Sequence, residues 1–155
     1  MVISEETRAA IEAECRKFPQ KRGALLGALH LVQKEHGFVS QEASEEVAEL
    51  FGIHPVEVME ILTFYNMFRS APEGRHHVHV CTNLPCSLRG ARSLLKRLEA
   101  HLGVESGETT SDGRITLGHE ECLGACAYAP MMRVDGRYYE DLDFERAREI
   151  LEALD

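Results

Sequence analysis

The chain has 155 residues, enough for one domain or for a small domain with a helical extension. Its 44% hydrophobic content supplies a core, and a formal net charge of −9 with no offsetting basic patch argues against nucleic acid as the partner. No stretch is long and apolar enough to span a bilayer, and the opening "MVISEETRAAIEAE" lacks the basic start and apolar run of a signal peptide, so a cytoplasmic protein is expected.

Residues 4 to about 70 carry helical periodicity. Ser4 is a candidate N-cap for a first helix, on which Ile11, Cys15 and Phe18 share a face at i, i+4 and i+7. That places the Cys15 thiol on an apolar stripe, as an inert core residue. "RGALLGALHLVQKEHG" reads as a second helix, with Leu25, Leu29 and Val32 inward and Gly37 as its stop. "SQEASEEVAELFG" is a third, capped by Ser40 and ended by Gly52. "HPVEVMEILTFYNMF" opens on Pro55, where a proline costs no hydrogen bond, and lines up Val58, Leu62 and Tyr65. Phe64, Tyr65 and Phe68 are expected in the core of that fourth helix. Four short helices with short connections define a helical subdomain.

"RSAPEGRHH" breaks this pattern, and the boundary is placed there, giving 1–72 and 73–155. Beyond it, "HHVHVCT" alternates like a strand, and "SLRGARSLLKRLEAHLG" reads as a helix with Leu88, Leu95 and Leu98 on its apolar side. "GRITLGHEE" is a further strand, and "MMRVDGRYYE" is a hairpin turning on Asp135-Gly136. "LDFERAREILEALD" is a helix with Phe144, Ala147, Leu151 and Leu154 inward. The order β-α-β-β-β-α implies a small mixed sheet with helices against it, so the fold class is α+β.

Four of the five cysteines form two pairs. Cys81 and Cys86 are spaced C-x4-C, and Cys122 and Cys126 are spaced C-x3-C. Stable disulfides are disfavoured in a reducing compartment, where clustered cysteines bind metal or do redox work. A thioredoxin-type dithiol needs C-x2-C, which is absent. The wide spacings suit the four thiolates of a [2Fe–2S] cluster, and a structural zinc site stays open on spacing alone. Gly124 lets its loop fold so that amide N–H groups can point at sulfur, and Pro85 stiffens the other loop. His76, His77 and His79 are read as exposed strand ends, and His119 as solvated or outside the metal's own ligands. No G-x-G-x-x-G or phosphate-binding loop occurs, so the chain has no nucleotide site of its own.

With these motifs assembled, "VCTNLPCSLRG" and "EECLGACAYAPMMRVDGRYYEDL" closely resemble the thioredoxin-like [2Fe–2S] subunit family of respiratory complex I, the E subunits of NADH-quinone oxidoreductase. "HGFVSQEASEEVAELFGI", "EVMEILTFYNMF" and "APEGRHHVHVC" extend the resemblance over nearly the whole chain. It implies an N-terminal helical bundle followed by a thioredoxin-like domain holding one [2Fe–2S] cluster, with Cys81, Cys86, Cys122 and Cys126 as iron ligands. It makes Pro130 a candidate for a cis peptide bond, and it places a flavoprotein subunit carrying FMN and NADH alongside. The expected role is one-electron transfer as a subunit that is not catalytic alone, cytoplasmic and peripheral to the inner membrane. The helical subdomain is expected to act mainly in docking. An acidic chain resists adding an electron to an anionic cluster, so the potential is expected to be low, on the order of −400 mV. Related subunits serve NAD-dependent formate dehydrogenases and NAD-reducing or bifurcating hydrogenases. A structural zinc module that mediates assembly is the reading of another class.

Overall fold

The structure is a computed structural model that describes residues 2–155. The chain divides into two compact units that meet at Pro72 and Glu73.

The first unit contains α1 (Glu5–Cys15), α2 (Leu25–His36), α3 (Gln41–Phe51) and α4 (Pro55–Phe64), with a 3-10 turn at Lys21–Ala24. Ser4 caps α1 by accepting from the Thr7 amide at 3.2 Å, and Ser40 caps α3 by accepting from Ala43 at 3.1 Å. The cap of α4 is reciprocal. The His54 ring accepts from the Val56 amide, and the Glu57 carboxylate accepts from the His54 amide at 3.1 Å. Leu25, Leu29, Val32, Val47, Val58 and Leu62 are buried together, as the helical periodicity requires.

Two details of this unit correct the sequence reading. Helix α1 ends at Cys15, and Phe18 lies beyond it, exposed, because a residue before proline (here Pro19) is disfavoured in the helical region. Helix α4 stops at Phe64, and Tyr65 turns extended at φ −95° and ψ 115°. Phe64 is therefore 78% exposed and Tyr65 is also exposed, so neither is core. Phe68 is buried by a turn, not by a helix, with its ring 4.8 Å from that of His30. Gln33 fixes that turn, donating to the Met67 carbonyl and accepting from the Arg69 amide, both at 2.8 Å.

The second unit contains β1 (His76–Cys81), α5 (Leu84–Leu88), α6 (Ala91–Leu102), β2 (Glu108–Thr109), β3 (Ile115–Glu120), β4 (Met132–Val134), β5 (Arg137–Tyr139) and α7 (Phe144–Glu152). The sheet order is β2-β3-β1-β4-β5, with β1 and β3 parallel and the other pairs antiparallel. Val78 pairs with Leu117 and with Val134, which puts all three on one sheet face. Leu94 and Leu98 from α6 and Ala147 and Leu151 from α7 join them in the core. The other face carries His77, His79, Thr116, Glu120 and Arg133, and is polar. The hairpin turns on Asp135 and Gly136, at φ 49° and 88°.

The helix expected after β1 is two helices. Gly90 adopts φ 93°, which ends α5 and restarts the chain as α6, and Leu88 is 79% exposed in consequence. Ala91, Leu94 and Leu98 form the buried stripe instead. Strand β2, two residues long, carries no periodicity to read.

His76 ties the hairpin to the end of the chain. Its Nδ1 lies 2.6 Å from the Asp135 carboxylate, and its Nε2 lies 3.2 Å from that of Asp155. The hydrogen bond to Asp135 raises the His76 pKa against a smaller opposing effect of burial. Burial pushes the Asp135 carboxyl up, and the bonds from His76 and the His77 amide more than reverse that, leaving it lowered. The stabilisation from a raised histidine is complete below its ordinary pKa of about 6.5 and is lost as pH climbs through the raised value. The Asp135 contribution runs the other way, lost as pH falls through its lowered pKa. Denaturant midpoints should therefore separate the protein from His76→Gln most widely between these limits. The gap is expected to shrink as pH rises from about 6.5, and a gap unchanged by pH would dismiss the ion pair.

Candidate metal centre

The parallel pairing of β1 with β3 brings the two cysteine pairs to one end of the sheet. Cys81, the last residue of β1, is in register with Glu120, the last residue of β3, two positions before Cys122. Parallel strands release their following loops on the same side, which is where open α/β sheets place their sites. Thr82 stitches the loops together, giving both its amide (2.9 Å) and its hydroxyl (3.1 Å) to the Glu120 carbonyl.

The first loop is short and rigid. The Asn83 side chain accepts from the Leu84 amide at 2.8 Å, Pro85 occupies the first turn of α5, and the Ser87 hydroxyl donates back to the Thr82 carbonyl at 2.8 Å. This geometry points Cys86 inward, 1% exposed, beside Cys81 at 2%. The second loop is more open. Cys122 and Cys126 are exposed, Leu123 is buried between them, and Gly124 takes the left-handed conformation at φ 79°. Cys126 begins a 3-10 turn that runs to Tyr128, and the Ala129–Pro130 bond that follows is cis. Tyr138 donates to the Leu123 carbonyl at 2.8 Å, and Arg89 Nε donates to the Ala129 carbonyl at 3.3 Å, so both the sheet and the first loop hold the second.

The thiols interact before any metal is considered. Burial pushes the Cys86 thiol up to about 11, helped by its hydrogen bond with Cys81 and by the nearby Cys126, while the Met131 amide directed at its sulfur pulls the other way. A ligand thiol must lose its proton, so metal loading at this position releases one. Cys81, Cys86 and Cys126 are thus brought within electrostatic reach of one another. Cys122 is placed on the same loop as Cys126, facing solvent. None of the five cysteines is paired in a disulfide. Among the described residues, no group of three or more His, Cys, Asp or Glu side chains is gathered as a closed metal site. The donor chemistry fits a four-thiolate group: two sulfurs buried and pre-positioned, and two on a glycine-containing loop with room to turn. Cys15 is half-buried in the other unit.

The histidines belong to polar contacts rather than to the thiols. His77 lies 2.8 Å from Glu73 and His79 lies 3.4 Å from Glu120, both half-buried on the polar sheet face instead of being exposed strand ends. Burial lowers the His79 pKa, with Glu120 opposing. His119 is exposed and bonded to Ser106 at 2.7 Å. Thr82, Asn83 and Arg89 escaped the sequence reading. Of these, only Asn83 carried a signal, as a cap residue two positions before a proline.

The chain is of the iron–sulfur class built on a thioredoxin-like scaffold. The thioredoxin-like [2Fe–2S] ferredoxin family matches residues 11–155, and the chain belongs to it. Among its relatives, an E subunit of the NADH-quinone oxidoreductase of Rhizobium meliloti is 44% identical over 95% of this chain and 88% of its own. The mitochondrial NADH dehydrogenase [ubiquinone] flavoprotein 2 of Dictyostelium discoideum is 40% identical over 90% of this chain, which spans 58% of that relative. In the solved structures, the chain is similar to part of an NAD+-reducing [NiFe]-hydrogenase, with TM-score 0.71 and 27% identity over 83% of this chain and 22% of that one. Among the described residues, no helix is long and apolar enough to cross a membrane.

Proposed function

We propose that Cys81, Cys86, Cys122 and Cys126 ligate one [2Fe–2S] cluster, and that the chain is the electron-transfer subunit of an NADH-quinone oxidoreductase, seated against the subunit that binds FMN and NADH. The observation that carries the reading is the parallel register Cys81↔Glu120, which delivers two thiol pairs to the same sheet end in a chain of this family. When bound, such a cluster supplies one-electron transfer, the complement to a flavin that accepts hydride. The chain's own residues supply the environment. Cys81 and Cys86 are buried on the inner side, and the Met131 amide pulls the Cys86 thiol pKa down against burial, an influence of the kind that tunes potential. Thr82 and Arg89 hold the two loops in register. Membrane association follows from assembly, with the protein peripheral to the inner membrane on the cytoplasmic side. The division into a docking helical unit, 1–72, and a cluster unit, 73–155, is part of the same proposal.

The full chain purified without oxygen should be coloured, absorbing between roughly 400 and 550 nm, with two iron and two sulfide per chain. A colourless protein with stoichiometric zinc would overturn the cluster in favour of a structural metal module. The likeness to an NAD+-reducing hydrogenase favours a second host complex. Tagging the chain in its own cells decides between them, by recovery of proton-pumping membrane subunits or of a hydrogenase subunit.

A further inference from the structure

Against the expectation that no basic patch offsets the chain's acidity, helices α5 and α6 carry charge of the opposite sign to the chain. From Leu84 to Leu102 there are four basic residues (Arg89, Arg92, Lys96 and Arg97) against one acidic residue, Glu99, although the whole chain carries −9. Elsewhere among the described residues, Arg8, Arg22, Arg114, Arg133 and Arg148 sit against carboxylates, while Arg16, Lys34 and Arg146 do not but lie on separate elements, so what sets α5 and α6 apart is that their cations are clustered. Arg97 is also engaged, stacked 3.9 Å over the Phe144 ring and 3.8 Å from Glu145. Arg89, Arg92 and Lys96 have no carboxylate partner among the described residues. Two of them are nonetheless fixed in place: Arg89 Nε donates to the Ala129 carbonyl, and Arg92 Nε donates to the Ser87 hydroxyl at 3.1 Å.

Beside these cations the surface is apolar. Leu84 and Leu88 are four apart on α5 and are 68% and 79% exposed, while Cys86 between them faces inward. Burying large aliphatic side chains is favourable, so two bare leucines on one helix face mark a surface that binding would cover. Arg89 and Arg97 also border a cavity of about 250 Å³ that takes in Ser93, Pro130 and Phe144. Asp143 lies at its edge, but its carboxylate is occupied in capping α7 through the Arg146 amide. That volume suits one protruding side chain.

We propose that the outer face of α5 and the start of α6 is where the FMN- and NADH-binding partner docks, and that the partner meets it with Asp and Glu residues around an apolar centre. The inference rests on the function proposed above. Charge complementarity selects this occupant. Unpaired cations around an apolar centre match an acidic rim, and such matching steers association and fixes register. An anionic membrane or nucleic acid would be repelled by the remainder of an acidic chain. A symmetric contact with a second copy would oppose cation to cation. The face also backs directly onto Cys86, so a partner seated on it lies at the thiol end of the sheet.

The test uses the full chain with its cluster and the purified FMN-binding subunit of the same host. The triple variant Arg89→Glu, Arg92→Glu and Lys96→Glu is compared with a control of equal charge change, Arg16→Glu, Lys34→Glu and Arg146→Glu. The first should weaken binding on the order of a hundredfold and abolish most of its salt dependence, with the control changing it only severalfold. Because Arg89 touches the second cysteine loop, the pair Arg92→Glu and Lys96→Glu provides a variant with that contact intact, expected to lose about tenfold. An unaltered visible spectrum certifies folding in each case. Binding equal to the control, with the spectrum intact, would overturn the proposal. So would reversals that change only the chain's self-association in sedimentation. A coloured, unaltered chain that ignores the flavoprotein would sink the parent reading and this inference together, whereas a colourless chain sinks the parent reading alone if it still binds through this face.

Discussion

Cys86→Ser is expected to abolish the visible spectrum and most of the bound iron, while Cys15→Ser leaves both unchanged. Cys86 is buried on the inward face of α5, in contact with Cys81 and within reach of Cys126. A serine hydroxyl nearly matches the thiol in shape, but it does not become an anion near neutral pH and is a poor ligand for iron. In that buried place the hydroxyl would also cost about 1–3 kcal/mol wherever it finds no partner. Cys81→Ser should behave alike. Cys122→Ser and Cys126→Ser should lose the spectrum as fully, but with little loss of stability without metal, because both positions are exposed. Absorbance, iron content and a denaturant midpoint for each variant separate these effects. Full iron and an unshifted spectrum in Cys122→Ser would remove that residue from the ligand set.

The contrast between the two loops also explains how far the site could be read in advance. The thiol spacing was visible in the sequence, and so were the strand before Cys81 and the turn at Asp135-Gly136. What spacing alone left open was whether the pairs meet, since that depends on β1 lying parallel to β3, a pairing across thirty or more residues. Thr82 and Arg89 were illegible for the same reason. Their partners, the Glu120 and Ala129 carbonyls, are remote in sequence and carry no side-chain signature.

In the helices, capping chemistry was the dependable guide. Ser4, Ser40, Gly37 and Gly52 sit where their residue types predict. Periodicity misled where an apolar run outlasted its helix. "TFYNMF" continues the pattern past Phe64, but the backbone leaves the helix and Gln33 captures the turn from another element. At Leu88 the error came from reading through Gly90, whose positive φ rotates α5 out of phase with α6. The resulting exposed leucine is one of those placed at the proposed docking face.

Leu117→Ala and Leu29→Ala should have opposite consequences for the two units. Each leucine is fully buried, Leu117 in the sheet core with Val78 and Leu98, and Leu29 in the helical core with Val32 and Val58. Truncation of such a side chain costs about 2–5 kcal/mol, from lost transfer free energy plus the cavity left behind. Domain stabilities are only about 5–15 kcal/mol, so either change takes a large share. Because Leu117 lies on β3, whose end launches the second cysteine loop, its loss should raise the fraction of protein without iron and lower the midpoint read by visible absorbance. Leu29→Ala should lower the helical far-ultraviolet signal at milder denaturant and leave the visible midpoint in place. If the visible midpoint falls as far in Leu29→Ala as in Leu117→Ala, the two cores unfold as one, and the helical unit supports the cluster fold instead of serving only in docking.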